Sequence, residues 1–494
     1  MRDKNTLITL TPKILKSVAD LPKETANPNT FRDIFITVLM QNSPIGSGGI
    51  SASACGIEWE WRTMVDSAKL SMSAALGAMD AGELTAETLL GDCLERVDAR
   101  EKDVLAWAKM DRETALANAK AADAAGRPGA LGGLPVAFKD IIDTAELGTE
   151  YNSVIYKGHR PTEDAAAVTA VKEAGGFIMG KTVTTTFAHR NPGPTRNPHN
   201  PGHSPGGSSS GSAAAVADFM VPLALGTQTG GSVLRPGAYC GILAYKPAFD
   251  AINFGGTKQI SASLDTLGFY ARSLDDLPIA GAALQGRHTP LAVGDETAAP
   301  KIALVRTTSW DQAQQCGRDL VEDVFEKLGA AGAATRELDL PPPFTGLFDA
   351  HTVVGAVEPL SALAWEIEND WDGIPEPTKK LIEEGREFGL GKYVTALAIG
   401  ETCRRQLPNV IGETEIILTL PAPGEAPEGL ASTGSAEFNR LWTFLHVPCL
   451  HVPIDRGPTG LPIGIQLVSR RGSEAYLMAT ARWIARNLDL DLFG

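Results

Sequence analysis

Ser208 and Ser232 stand 24 residues apart, each within glycines and small side chains: G-G-S-S-S-G-S around the first, G-T-Q-T-G-G-S around the second. Little bulk surrounds hydroxyls in such loops. Gly230 and Gly231 leave backbone N–H groups free to point at an oxygen that gains negative charge. This pairing suits attack of a serine oxygen on a carbonyl carbon, but a serine hydroxyl at neutral pH needs a base. His203 is the histidine nearest to both serines, and it sits between prolines in what reads as a surface loop. Lys139 is the better candidate. It closes the apolar run in L-P-V-A-F-K-D-I-I-D, and desolvation favours the neutral, basic form of a lysine. On spacing alone the same lysine could equally end a strand and reach water.

The elements that must position these groups follow from local pattern. A flexible Ser/Gly linker would not pass directly into alanine-rich helix formers and then into an apolar run. The pattern predicts a helix over Ser212 to Phe219, capped by Ser209 or Ser210, and a strand from Pro222 to Leu225 that ends at Gly226. Upstream, Thr85 caps a helix with Leu90, Cys93, Leu94 and Val97 on one stripe, and a second helix runs from Arg112 to Ala125. Strand Leu134 to Phe138, helix Ala165 to Ala174 and strand Phe177 to Met179 then have the spacing of an α/β crossover. Downstream come strand Ile302 to Val305, a helix through Leu320 and Leu328, strands Ile416 to Leu420 and Gly464 to Val468, and a final helix capped by Ser473. Thr30 could cap a helix ahead of the apolar residues Phe31 to Met40, which could equally form a strand; Asn42 to Gly56 reads as a loop.

Composition bounds the partners. The 494 residues can bury a large core, and 44 basic against 59 acidic side chains leave a formal charge of −15, which argues against nucleic acid and anionic membranes. Six scattered cysteines without C-x-x-C spacing read as reduced thiols of a cytoplasmic protein. The eight histidines make no recognisable zinc spacing, so no metal is expected. No apolar stretch reaches membrane-spanning length, and the start M-R-D-K-N-T lacks the pattern of a signal peptide.

The lysine motif and the two serine motifs together resemble the amidase signature family, over roughly Ala81 to Leu488. The resemblance implies an α/β fold: a large mixed, twisted β-sheet covered by helices on both faces. Residues 1–80 would be an extension and 81–490 the amidase domain, with a core region near 130–275 and a second lobe near 300–435 that walls the substrate cavity. It also implies hydrolysis of a linear amide by a Ser–cis-Ser–Lys triad. Lys139 matches the base, Ser208 the bridging serine reached through a cis Gly207–Ser208 peptide, and Ser232 the nucleophile. The N–H groups of Thr229, Gly230, Gly231 and Ser232 match the oxyanion hole. No cofactor is implied; the partners expected are a small-molecule amide and a second copy of the chain. Asp265, Gly268, Ala271 and Arg272 match a structural segment beside the site, and Lys181 supports the loop beneath it.

Departures narrow the expectation. Thr186 stands where the family commonly has glutamate. Many relatives read G-T-D-T-G-G-S-I-R, whereas this chain has Gln228, Leu234 and, one place later, Arg235. Removing an acid and a base together leaves no stranded charge. The form resembles the subgroup of malonamidase and the biuret-pathway hydrolases, in which the matching arginine grips a substrate carboxylate. Arg235 is thus a candidate carboxylate clamp or, equally, a prop for the loop before Pro236. Two alternatives stay open: an RNA-associated subunit like that of the glutamyl-tRNA amidotransferase, and a hydrolase of urea-type or ester substrates.

Overall fold

Short apolar runs bounded by glycine, proline or a polar residue become strands, as their β-branched and aromatic content favours. The computed structural model describes residues 66–287, 289–294, 298–412 and 415–493; the expectations for residues 30–40 and 42–56 lie outside the described residues. In chain order the strands are β1 (Trp107–Lys109), β2 (Pro135–Lys139), β3 (Phe177–Thr182), β4 (Leu223–Gln228), β5 (Leu243–Lys246) and β6 (Thr266–Ala271). The second half adds β7 (Lys301–Leu304), β8 (Ala334–Glu337), β9 (Glu415–Thr419), β10 (Cys449–Arg456) and β11 (Pro462–Val468). They form one 11-stranded sheet in the order β1-β3-β2-β4-β6-β5-β10-β11-β9-β7-β8.

The sheet is mixed. β2 pairs in parallel with both β3 and β4, and β7 with both β8 and β9, while the strands between β4 and β9 run antiparallel to their neighbours. Successive strand residues face opposite sides. Every residue of β2, β3, β4, β5, β6, β9 and β11 is buried, so both faces of the central sheet are covered. The edge strand β8 is exposed throughout. One parallel triplet lies within residues 135–228 and the other within 301–419, and one sheet contains both. Residues 64–494 form one unit. Helix Met72–Asp80 belongs to it, with Ser73 N–H donating to Asp276 Oδ1 at 2.7 Å.

Boundaries moved where tertiary contacts extended the local pattern. β3 and β4 each run three residues past their predicted ends, Met179 and Leu225, to Thr182 and Gln228. Gly180 and Gly226 do not stop them, because the neighbouring strands continue to supply hydrogen-bond partners. The helix after Ser208 is Ser210–Ala217, and no side-chain cap closes its start. The Ser209 hydroxyl turns instead to β4, accepting from Thr227 N–H at 3.1 Å and donating to Thr227 O at 3.2 Å. Thr85 caps its helix as expected, accepting from Thr88 N–H. Among the described residues no helix is long and apolar enough to cross a membrane.

Small residues let helix Ser210–Ala217 lie against the sheet. A Cβ on Gly211 would stand 2.2 Å from Ala106 O and 2.4 Å from Val183 N, and backbone atoms there cannot step aside. Gly211→Ala is therefore expected to lower stability by about 1–3 kcal/mol. Gly77, inside helix Met72–Asp80, has nothing within 4 Å of its Cβ position, so Gly77→Ala should raise stability by about 0.5–1 kcal/mol. Denaturant midpoints of the two variants check both signs.

Candidate active site

Lys139 is the last residue of β2, held between β3 and β4 in a register that pairs it with Thr182 and pairs Phe138 with Leu225. This central position leaves its side chain fully buried. The Nζ donates to Ser208 Oγ and to Thr227 Oγ1, each at 2.7 Å. Burial pushes its pKa well below the ordinary lysine value; the carboxylate of Asp265 opposes this and the guanidinium of Arg235 reinforces it. Among the described residues no carboxylate lies within ion-pair distance of Nζ. In its neutral form the amine has a lone pair to which Ser208 can donate across the same short contact. Ser208 follows a cis Gly207–Ser208 peptide.

Ser232 lies at the turn between β4 and helix Leu234–Cys240. The loop before it is fastened by its carbonyls. His351 Nε2 lies 2.9 Å from Thr229 O, Thr443 Oγ1 donates to Gly230 O at 2.7 Å, and the Tyr270 hydroxyl donates to Ser232 O at 3.3 Å. A trans peptide is planar, with C=O and the next N–H pointing opposite ways. Holding the Thr229 and Gly230 carbonyls therefore aims the N–H groups of Gly230 and Gly231 away from those anchors. Among the described residues no group accepts a hydrogen bond from the N–H of Thr229, Gly230, Gly231 or Ser232. The loop is also closely backed: a Cβ on Gly231 would fall 2.3 Å from Asn439 Oδ1.

The surrounding residues divide by what they touch. Gln228 Oε1 accepts from Val233 N–H and Leu234 N–H at 2.9 and 3.0 Å, and its Nε2 donates to Thr443. It thus satisfies orphan donors at the start of helix Leu234–Cys240. Asp265 Oδ1 accepts from the Thr229 hydroxyl at 2.5 Å and Oδ2 from Ile260 and Ser261 N–H; burial raises its pKa to about 6. Arg235 is buried and its Nη2 donates to Gly207 O and to Thr433 Oγ1. Lys181 donates to Ile142 O and to Thr149 Oγ1, in the chain that follows β2. Arg272 binds the carbonyls of Val216, Val221, Ala68 and Leu70. Thr186, in place of a glutamate, donates to Asn152 O and accepts from Asn191 Nδ2. His203 bridges to Glu428 in a separate loop.

Ser208, the Thr229–Ser232 loop and Arg235 open onto one cavity of about 480 Å³. Its lining is completed by helix Leu347–Val357, through His351, Thr352 and Gly355, and by the long helix Glu376–Val410, through Pro377, Leu381 and Glu384. That helix is broken at Gly389, where φ is 67°.

Comparison with known proteins gives this arrangement its family. A sequence model described as Amidase matches residues 88–406. The chain belongs to the amidase family. It is 31% identical over 462 residues to a glutamyl-tRNA(Gln) amidotransferase subunit of Chloroflexus aggregans, covering 83% of this chain and 94% of that one. A crystal structure of an amidase aligns with TM-score 0.77 and 27% identity, over 84% of this chain and 99% of that one. The peptide amidase PAM, solved with the competitive inhibitor chymostatin, aligns with TM-score 0.72 and 26% identity, over 85% and 98%. The amidotransferase relatives carry tRNA in their names, so the expectation that nucleic acid plays no part draws no support from them.

Sequence reasoning about this amidase-family chain missed three contributors. Thr227, the second partner of Lys139, carried a signal: it is one residue past the glycine that seemed to end β4. His351 and Thr443 carried none, because they come from helices more than a hundred residues downstream of the loop they hold. Burial lowers the pKa of His351 to about 3, with Arg440 adding to the effect. The ring is therefore neutral near pH 7; with Nδ1 free of partners, Nε2 is the nitrogen that carries the proton toward Thr229 O.

The pH dependence follows from the sign of the Lys139 shift. A base works only when deprotonated, so if Lys139 is the base, kcat/KM for an amide should rise with pH through its folded pKa, which lies below the ordinary lysine value of 10.5. Asp265 raises that pKa and Arg235 lowers it. Asp265→Asn should therefore move the acid limb to lower pH, and Arg235→Met should move it to higher pH. Shifts of the opposite sign in the two pH profiles would remove Lys139 as the titrating base.

Proposed function

We propose that this chain hydrolyses a linear carboxylic amide through a seryl acyl-enzyme, with Ser232 as nucleophile, Ser208 as proton relay and Lys139 as base. The observation that carries the reading is the 2.7 Å contact of a buried, uncompensated Lys139 with Ser208, beside a cavity onto which both serines open. Ser232 Oγ forms a bond to the carbonyl carbon while its proton passes to Ser208 and the Ser208 proton to Lys139. The N–H groups of the Thr229–Ser232 loop stabilise the oxyanion. Collapse breaks the C–N bond as the relay returns a proton to the leaving nitrogen. Water then adds to the acyl carbon, losing its proton along the same path to Lys139; the acyl–Oγ bond breaks as the relay returns that proton to Ser232, and the acid departs.

The loop form G-T-Q-T-G-G-S-V-L-R-P supports a substrate of the malonamidase or biuret-pathway kind, though the contacts of Arg235 with Gly207 O and Thr433 support its role as a prop. A second reading is favoured by the relatives named as amidotransferase subunits: the same cleavage would release ammonia for use by a partner protein. Ammonia release by the isolated chain separates the two, since a partner-dependent subunit would show it only when the partner is added.

Ser232→Ala should abolish turnover and acyl-enzyme formation, by a factor on the order of 10⁴ or more, with the fold retained. Ser208→Ala and Lys139→Ala should each cost about 10³-fold, and the double variant little more than either alone, because the two act as one relay. Intact-protein mass spectrometry and single-turnover rates measure these effects; a folded Ser232→Ala protein with the native amidase rate removes the mechanism. For Arg235→Ala, a carboxylate clamp predicts a loss of about 2–4 kcal/mol in kcat/KM on malonamate with much less on a neutral amide. A prop predicts equal losses on both and a lower thermal midpoint.

A further inference from the structure

We propose that Arg190 and Arg440 form a carboxylate-recognition site in the catalytic cavity, which makes anionic amides the substrate class of this chain. This rests on the proposed hydrolysis for its setting and on different residues for its evidence. Both residues line the cavity that holds Ser208 and Ser232, Arg190 exposed and Arg440 half-buried. Arg190 follows the turn Thr186–Ala188, and Arg440 lies on helix Glu437–Phe444. A Cβ built on Gly230 would stand 3.7 Å from Arg440 Cγ, so the Arg440 side chain starts beside the loop that carries the nucleophile.

The third arginine of this lining, Arg235, is occupied, bound to Gly207 O and to Thr433 Oγ1. Arg190 and Arg440, by contrast, make no ion pair with any described residue. Arg440 has one hydrogen bond, a long 3.4 Å contact from Nη1 to Thr352 Oγ1, and its guanidinium lies over the Phe348 ring at 5.0 Å. Glu437 acts on it from beyond ion-pair distance, and Glu384 is the single carboxylate in the cavity lining.

The two cations repel each other. The charge of Arg190 lowers the pKa of the partly buried Arg440, after burial itself, and both charges depress Arg235 and His189. In a chain of formal charge −15, two like charges brought together at one cavity, the exposed Arg190 and the half-buried Arg440, repel until an anion neutralises them. A carboxylate matches the forked donors of two guanidiniums.

The test compares charged and neutral amides on the full chain. Succinamate and glutaramate carry the carboxylate on the acyl side, N-acetylglycine carries it on the amine side, and pentanamide and hexanamide are neutral counterparts. The native protein should prefer one charged arm over its neutral counterpart, and the preferred arm tells which side of the amide faces the pair. In Arg190→Gln and Arg440→Gln the ratio of kcat/KM, charged over neutral, should fall about tenfold or more, mainly through KM. Arg440→Lys should recover part of that ratio. Equal losses on charged and neutral substrates, or a native preference for neutral amides, overturn the proposal while leaving the seryl mechanism intact. If no amide is cleaved and no acyl-enzyme forms, the mechanism has failed, and calorimetry still decides the site. Glutarate should then bind the native and Ser232→Ala proteins and bind Arg440→Gln about tenfold more weakly; equal binding to all three overturns it.

Discussion

A lysine buried with no carboxylate in contact is the constraint on which the rest of this structure depends. An ammonium at the Lys139 position would cost several kcal/mol of desolvation with no carboxylate in contact to offset it. Burial shifts the balance toward the neutral amine, the form the proposed base would need. The neighbouring groups tune the outcome in opposite directions: Asp265 favours the charged form and Arg235 the neutral one. Both also hold backbone near a serine, Asp265 through the Thr229 hydroxyl and Arg235 through Gly207 O. Position and protonation are set by the same contacts.

The sheet supplies the precision. Lys139 and Thr227 sit on adjacent parallel strands, and their register is fixed because a one-residue slip would turn every buried side chain to the wrong face. The serine loops are then pressed onto this frame at positions where only glycine fits. Gly207 lies against Thr433 and Gly231 against Asn439, so each loop is backed by residues from the second half of the chain. The second half therefore closes the site as well as walling the cavity. His351 and Thr443 are its most direct contribution, since they fix which way the peptide planes of the loop face.

The cavity is cationic where the chain as a whole is anionic. Three arginines, Arg190, Arg235 and Arg440, belong to a lining with one carboxylate, and burial lowers the pKa of the two histidines there, His189 and His351, to about 3. Such a local field concentrates anions despite a net charge that would repel them. Overall charge thus weighs against anionic partners for the surface as a whole and not for the cavity.

Much of this was legible in residue order. The lysine at the end of an apolar run, the serines in glycine loops and the strand–helix–strand spacing each have a local physical cause, and local causes are written in sequence. The mixed sheet followed from the resemblance those motifs carry. Tertiary structure decided what depends on neighbours distant in the chain. β4 continued through Gly226 because β6 kept pairing with it, which brought Thr227 onto Lys139. Ser209 gave up capping its helix because the backbone of Thr227 lay within reach. The contacts of Arg235 with Gly207 O and Thr433 Oγ1 likewise arose only from packing between distant segments. His351, Thr443, Arg190 and Arg440 had no visible signal at all, since the meaning of a histidine or an arginine lies in what it faces, and that is settled only when the helices that carry them pack against the loop.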